Sequence, residues 1–317
     1  MSIAFGPIPS RRLGQSLGVN HVIGKACTYC CPYCQVGPTR RRRVARQRFY
    51  APEQVAADVS ARLRELRRRG QDVDHLSLVP EGEPALDRHL GEIIEWLRPT
   101  GVPIAVITNA SLLWRDELRA ELAKADWVSL KVDGVSEPVW RRMNVPHRDL
   151  RLEQVLDGVR RFAAEFEGEL VTETMLLGGV NDAPDEIVAT AAFVAALEPR
   201  RAYLALPVRP PAVPSSRAPS ELALARAYRI FAEQIAVVEC LTGYPEAGCG
   251  PCGDAEKDLL AIAAVHPLRR EEVAQLLAQA GADFGLVDEL VRSGQLRQVE
   301  HAGRRFYLRP ASGGRGG

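Results

Sequence analysis

The chain has 317 residues, 46% of them hydrophobic and 26% charged, with a formal net charge of +1. That make-up suits a soluble protein with one large α/β domain and a small one, and so small a net charge says little about partners. No run of about 18 apolar residues is present to span a membrane, and the start MSIAFGPIPSRRLG has no apolar segment of the kind that marks a signal peptide.

After this Gly- and Pro-rich extended start, Leu17–Lys25 reads as a first short strand that delivers the chain to Cys27-Thr28-Tyr29-Cys30-Cys31-Pro32-Tyr33-Cys34. A basic run follows, with arginines at 40, 41, 42, 43, 46 and 48, ending in Phe49-Tyr50. Such a run is a solvated face or a nucleic-acid contact. From Pro52 the pattern alternates. Helices are predicted over 52–69, 86–97, 114–123, 152–166, 184–197 and 220–232. Strands are predicted over 73–79, 103–108, 127–132, 170–177 and 202–206. About six β-α units argue for a parallel sheet with helices outside it, too few strands for a closed eightfold barrel.

Gly248-Cys249-Gly250-Pro251-Cys252-Gly253 breaks regular structure. Beyond it, helices over 256–264, 267–278 and 283–293 and a hairpin made of 296–299 and 305–308 give the order of a winged helix. The units expected are a barrel over 1–240, a Cys/Gly-rich connector over 241–254, a winged-helix-like unit over 255–309 and a flexible tail over 310–317.

The seven cysteines are odd in number and gathered in two places. That is metal-site usage in a reducing, cytoplasmic setting rather than a secreted disulfide framework. Passing over Cys30, the first group is C-x3-C-x2-C. Three such thiolates on one loop can wrap one face of a 4Fe–4S cube and leave one iron open for a ligand. Zinc, a disulfide or no site at all are the alternatives; zinc favours four N/S ligands in paired spacings. In the second group, Cys240, Cys249 and Cys252 are candidates for an auxiliary iron–sulfur cluster, against packing of three buried thiols. Cys30 is a further ligand or a bystander.

The C-x3-C-x2-C spacing, with Tyr33 just before its last cysteine, resembles the signature of the radical S-adenosylmethionine (radical SAM) superfamily. The wider set FGPIPSRRLG, GEPAL, ITNASLL, SLKVDGV, GGVND and LPVRPP is similar to the branch grouped with wyosine-type tRNA-modifying enzymes. The resemblance implies a partial (β/α)6 TIM-like barrel. It implies a 4Fe–4S cluster on Cys27, Cys31 and Cys34 that binds and reductively cleaves SAM, and abstraction of hydrogen from a substrate, with tRNA a candidate. Gly82 and Glu83 match the Gly-Glu motif that holds the amino group of SAM. Thr108, Asn109, Ser129, Lys131 and Asp133 are candidates for its ribose and carboxylate, and a salt bridge at Lys131–Asp133 is the plainer reading of that pair. Arg209 is expected either to meet substrate anions or to lie solvated on the rim. A reductant such as flavodoxin or ferredoxin is implied. Two other readings are an activating enzyme acting on a partner protein, and a redox-sensing iron–sulfur regulator whose winged unit binds DNA.

Overall fold

The computed structural model describes residues 2–243 and 254–310. Two sheets organise it. The larger has eight strands in sequence order: β1 Ala4–Ser10, β2 Gly14–Val19, β3 His75–Leu78, β4 Ile104–Thr108, β5 Trp127–Lys131, β6 Glu169–Met175, β7 Arg201–Ala205 and β8 Val238–Leu241. From β2 to β8 every pairing is parallel, and β1 folds back antiparallel on β2. Among the described residues β1 and β8 do not pair, so the sheet stays open along one side.

Helices cross between the parallel strands: α1 Pro52–Arg68, α2 Leu90–Leu97, α3 Asp116–Leu122, α4 Glu137–Asn144, α5 Leu152–Glu165, α6 Pro184–Ala195 and α7 Glu221–Ala232. The reasons are local. In α1, Pro52 fills the first turn, where an N–H would have no partner, and Glu53 and Arg67–Arg68 complement the two ends of the helix dipole. Strands such as Ile104–Thr108 are apolar on both faces because one face meets the helices and the other fills the sheet's concave side.

Three strands of the large sheet differ from the sequence reading, and α4 has no counterpart in it. The Gly- and Pro-rich start is a strand, with its register shifted between Phe5 and Ile8. The strand expected at Leu17–Lys25 ends at Val19, so the cysteine segment has a longer loop to work with. Val238–Leu241, assigned no element from sequence, is the eighth strand.

Residues 255–308 form α8 Ala255–Val265, β9 Leu268–Arg269, α9 Arg270–Ala280, α10 Phe284–Arg292, β10 Arg297–His301 and β11 Arg304–Leu308. Their sheet has the order β10-β11-β9, antiparallel. The helix expected from Pro267 begins only at Arg270, because Leu268 and Arg269 pair with β11. The Glu272 carboxylate then accepts from the Arg269 N–H at 2.7 Å and starts the helix.

This C-terminal unit has its own apolar core, and Phe5 of β1 belongs to it. The Phe5 ring lies so close over Gly18 that a Cβ there would sit 2.1 Å from it. The unit therefore stands against the open side of the large sheet. Arg62 of α1 reaches Asp258 at 3.6 Å, and His301 Nε2 lies 3.2 Å from Pro207 O.

Candidate active site

The loop after β2 is held from several directions. Arg43 N–H donates to Cys27 O (2.9 Å), Cys30 N–H to Asn144 O (3.0 Å), His147 N–H to Thr28 O (2.9 Å) and Val213 N–H to Pro32 O (2.8 Å). Within the loop, Cys34 N–H turns back onto Cys31 O (3.1 Å). Tyr29 is buried beneath it with its hydroxyl accepting from Trp140 Nε1. Gly82 explains why the Gly-Glu motif faces this loop. A Cβ at residue 82 would stand 1.8 Å from Ala26 O, so only glycine lets the two backbones meet. Glu83 N–H completes the contact, donating to the same carbonyl at 2.9 Å.

Cys27, Cys31 and Cys34 all line a cavity of about 440 Å³ under the loop, on the concave side of the sheet. Each sulfur has its own N–H donor. Lys25 Nζ lies 2.9 Å from Cys34 Sγ, Asn109 Nδ2 3.6 Å from Cys27 Sγ and Asn144 Nδ2 3.6 Å from Cys31 Sγ. Burial pushes the Cys27 thiol up to about 11 against the pull of the Lys25 ammonium, and burial with the neighbouring sulfurs raises Cys31 too. At Cys34 burial is outweighed by Lys25, and the thiol is lowered. Lys25 in turn is raised, because the sulfurs of Cys34, Cys27 and Cys31 overcome the desolvation of its ammonium. Among the described residues no three His, Cys, Asp or Glu side chains gather around a point fit for a single metal ion. Three one-loop thiols facing a cavity, each with an N–H donor, fit one face of an iron–sulfur cube.

Glu83 is 3% exposed. One oxygen accepts from Ala85 N–H and the Thr108 hydroxyl, the other from Asn109 N–H at 2.8 Å. Burial nevertheless pushes its carboxyl up to about 7. It knits the end of β3 to the end of β4, and through Asn109 it positions a donor to Cys27. Thr108 and Asn109 therefore reach the cavity wall as a unit with it.

The trio predicted on β5 separates. Lys131 lines the cavity, its ammonium 5.0 Å from the centre of the Tyr33 ring. It is anchored to Glu173 at 2.9 Å and to Asp133 at 3.6 Å, so the plainer salt-bridge reading holds alongside a place on the wall. Asp133 is buried behind the wall. It accepts from the Tyr33 hydroxyl, Asn144 Nδ2 (2.9 Å) and Met175 N–H (2.9 Å). It supports the aromatic residue of the cysteine loop. Ser129 is fully buried, and its Oγ has no hydrogen-bond partner among the described residues. Neither Asp133 nor Ser129 lines the cavity.

Arg209 lines the cavity rather than lying solvated on the rim. It is 6% exposed, bonded to Pro267 O and paired with Glu272 at 3.3 Å. Cys240 packs against the helix-side core, while the next residue, Leu241, lines the cavity. Alternation along β8 thus turns the Cys240 sulfur away from it. Cys249 and Cys252 lie outside the described residues.

The sequence reading passed over Lys25, Asn144, Arg12 and Glu173. Glu173 stands between Lys131 and the Arg12 guanidinium, which overcome its burial and hold its carboxyl at about 2. The signals were slight: a lysine two residues before the first cysteine, and a buried-position glutamate between two threonines in β6.

Glu83, Asn109 and Lys131, which meet the cysteine loop, stand at the carboxyl ends of β3, β4 and β5, where α/β enzymes place their chemistry. The Radical SAM superfamily model matches residues 21–194, and the chain belongs to that enzyme superfamily. A UPF0026 protein of Methanocaldococcus jannaschii is 40% identical over 311 residues, 98% of this chain and 96% of that one. A UPF0026 protein of Helicobacter pylori strain 26695 is 31% identical over 212 residues, 66% of this chain and 67% of the relative. Among solved structures, a radical SAM methyltransferase from Sphaerobacter thermophilus shares the fold with a TM-score of 0.52 at 19% identity, covering 72% of this chain and 67% of that one. Streptococcus suis SuiB bound to S-adenosylmethionine shares it with a TM-score of 0.53 at 14% identity, covering 76% and 54%. The family implies SAM and a 4Fe–4S cluster, and among the described residues no helix is long and apolar enough to cross a membrane.

Proposed function

We propose that the protein binds a 4Fe–4S cluster through Cys27, Cys31 and Cys34, cleaves SAM reductively beside it, and abstracts hydrogen from a substrate held in the cavity. The observation that carries this reading is the pairing of each of the three cavity-facing sulfurs with its own N–H donor, from Lys25, Asn109 and Asn144. When bound, the cluster supplies the electron that breaks SAM, and the chain's own residues do the rest. Gly82 lets the backbone of the Gly-Glu turn approach the loop. Glu83 holds Thr108 and Asn109 at the wall as SAM contacts. Lys131, fixed by Glu173 and Asp133, offers an ammonium to a carboxylate or ribose.

The C-terminal unit, read as winged-helix-like, belongs to this site rather than to DNA. Val265 and His266 form part of the cavity wall, and Gln35, next to Cys34, donates to Val265 O at 3.2 Å. That attachment favours an enzyme over a redox-sensing regulator. A tRNA substrate, as in the wyosine-type branch, has less support. Arg42 is bonded to Val145 O and Pro146 O, Arg46 to Glu121, Ala85 O and Asp87 O, and none of the described residues 39–50 lines the cavity. A substrate small enough for the cavity fits better than a macromolecule.

The test is anaerobic reconstitution followed by dithionite and SAM. 5′-Deoxyadenosine should form, and Ala at Cys27, Cys31 or Cys34 should abolish it. Normal cleavage by any one of the three variants would remove that ligand from the assignment.

A further inference from the structure

The arginine run holds the cysteine loop from the side away from the cavity. Arg43 N–H donates to Cys27 O at 2.9 Å. Arg42 Nη1 donates to Val145 O and Pro146 O, both at 3.0 Å, and the Asn144 and Val145 carbonyls are the acceptors of Cys30 N–H. Along this stretch the cavity wall ends at Val36 and resumes only at Ser77. Arg42 and Arg46 are tied into the protein, but Arg40, Arg41, Arg43 and Arg48 are exposed. Among the described residues none of these four has a carboxylate within ion-pair distance, and Arg43 meets only the neutral Gln47 amide. Exposed Arg88 extends the patch, its N–H donating to Gln47 O beside Arg48.

These cations lie on the segment whose backbone bonds to Cys27 O, and none of them lines the cavity. A substrate surface needs access to the cavity. An electron-entry surface needs only closeness to the thiolates. We propose that Arg40, Arg41, Arg43 and Arg48 form the docking surface for an acidic, low-potential, one-electron carrier protein. This inference rests on the function proposed above. One electron leaves the reduced carrier, which is oxidised by one electron, and arrives at the group held by Cys27, Cys31 and Cys34; no proton or chemical group moves between the proteins. Opposite charge at the rim of such a contact acts through steering, so association should be fast and salt-sensitive.

The test uses the full chain, reconstituted anaerobically, and an acidic flavodoxin as the probe. Binding of oxidised flavodoxin is followed by flavin fluorescence anisotropy over rising sodium chloride, a readout independent of catalysis. R40E/R41E/R48E should weaken binding about tenfold or more and flatten its salt dependence. R40Q/R41Q/R48Q should fall between it and the parent, which guards against misfolding of the reversed variant. Arg43 is left intact because its backbone holds Cys27. SAM cleavage driven by dithionite should be unchanged in both variants, while cleavage driven by flavodoxin and its NADPH-dependent reductase should fall in step with binding. Undiminished flavodoxin binding in the reversed variant overturns the proposal. So does salt-dependent tRNA binding that the reversal abolishes while flavodoxin binding persists. If the parent cleaves no SAM under dithionite yet loses flavodoxin binding on reversal, the docking surface stands and the proposed function falls.

Discussion

The cysteine loop and Cys240, the one cysteine of the second group among the described residues, are placed differently. At Cys27, Cys31 and Cys34 the backbone is fixed by bonds to distant segments, the sulfurs face a cavity, and each sulfur meets a nitrogen donor. Cys240 sits on an edge strand, half-buried, with its sulfur toward the helix-side core. Burial raises its thiol with no opposing cation, whereas at Cys34 the Lys25 ammonium reverses the effect of burial. Cysteines clustered in sequence are thus only raw material. A ligand site also needs a direction shared by the sulfurs and a source of positive charge.

The largest contrast should come from deleting sulfurs. Cys27→Ala, Cys31→Ala and Cys34→Ala should each abolish formation of 5′-deoxyadenosine and sharply reduce iron retained after reconstitution. Cys240→Ala should retain SAM cleavage and shift stability by no more than about 1 kcal/mol, read by thermal melting. Loss of SAM cleavage on changing Cys240 would collapse the distinction. Next comes the neighbour that shapes the loop. Gly82→Ala forces a methyl group onto Ala26 O, which should cost about 1–3 kcal/mol and lower iron incorporation without removing a sulfur. Normal iron content and melting in that variant would show that the loop yields freely.

A finer contrast lies in the donors. Asn144→Ala removes the N–H facing Cys31 Sγ and should shift the cluster's midpoint potential to more negative values, since hydrogen bonds to sulfur stabilise the reduced state. Redox titration followed by electron paramagnetic resonance measures this, and Cys240→Ala should leave the potential in place. The last contrast concerns acid, at His266 on the cavity wall. Burial, aided by the Arg209 cation, lowers His266 to about 3, below the ordinary value of 6.5. The unfolded chain then binds the proton that the folded chain refuses, so stability falls as pH drops from about 6.5 toward 3. His266→Gln should melt less steeply with acid over that window; parallel pH profiles would show that His266 protonates freely in the folded protein.

The barrel layers were legible because buried parallel strands and their crossover helices carry distinct periods, as in Ile104–Thr108 and Leu152–Glu165. Three pieces were not. β1 contains Pro7 and Pro9, which read as breakers, and it exists as an edge strand paired on one side. β8 has only four residues, all half-buried, too short for a pattern. α4 begins with Glu137-Pro138 and carries a strongly charged Arg141–Arg142 pair, so it looked like a loop, although its last residue, Asn144, serves Cys31. The cysteine loop and Gly-Glu turn were legible because their chemistry is local in sequence. The partners of Arg209, Pro267 and Glu272, were not legible because they belong to another unit, and a single sequence does not show which distant carbonyl a guanidinium will meet.

The grip on Val265-His266-Pro267 has a consequence for how the protein is made. Gln35 holds the carbonyl before His266 and Arg209 holds the one after it, so the wall at this point forms only when the end of the chain returns to its beginning. Synthesis runs the other way, and a chain folds its early parts first. The cysteine loop and strands β2 to β7 are complete on the ribosome before Val265 and His266 exist. During that interval the future cavity is open along the side that the C-terminal unit later covers. Docking of residues 255–308 is the step that completes this part of the cavity wall.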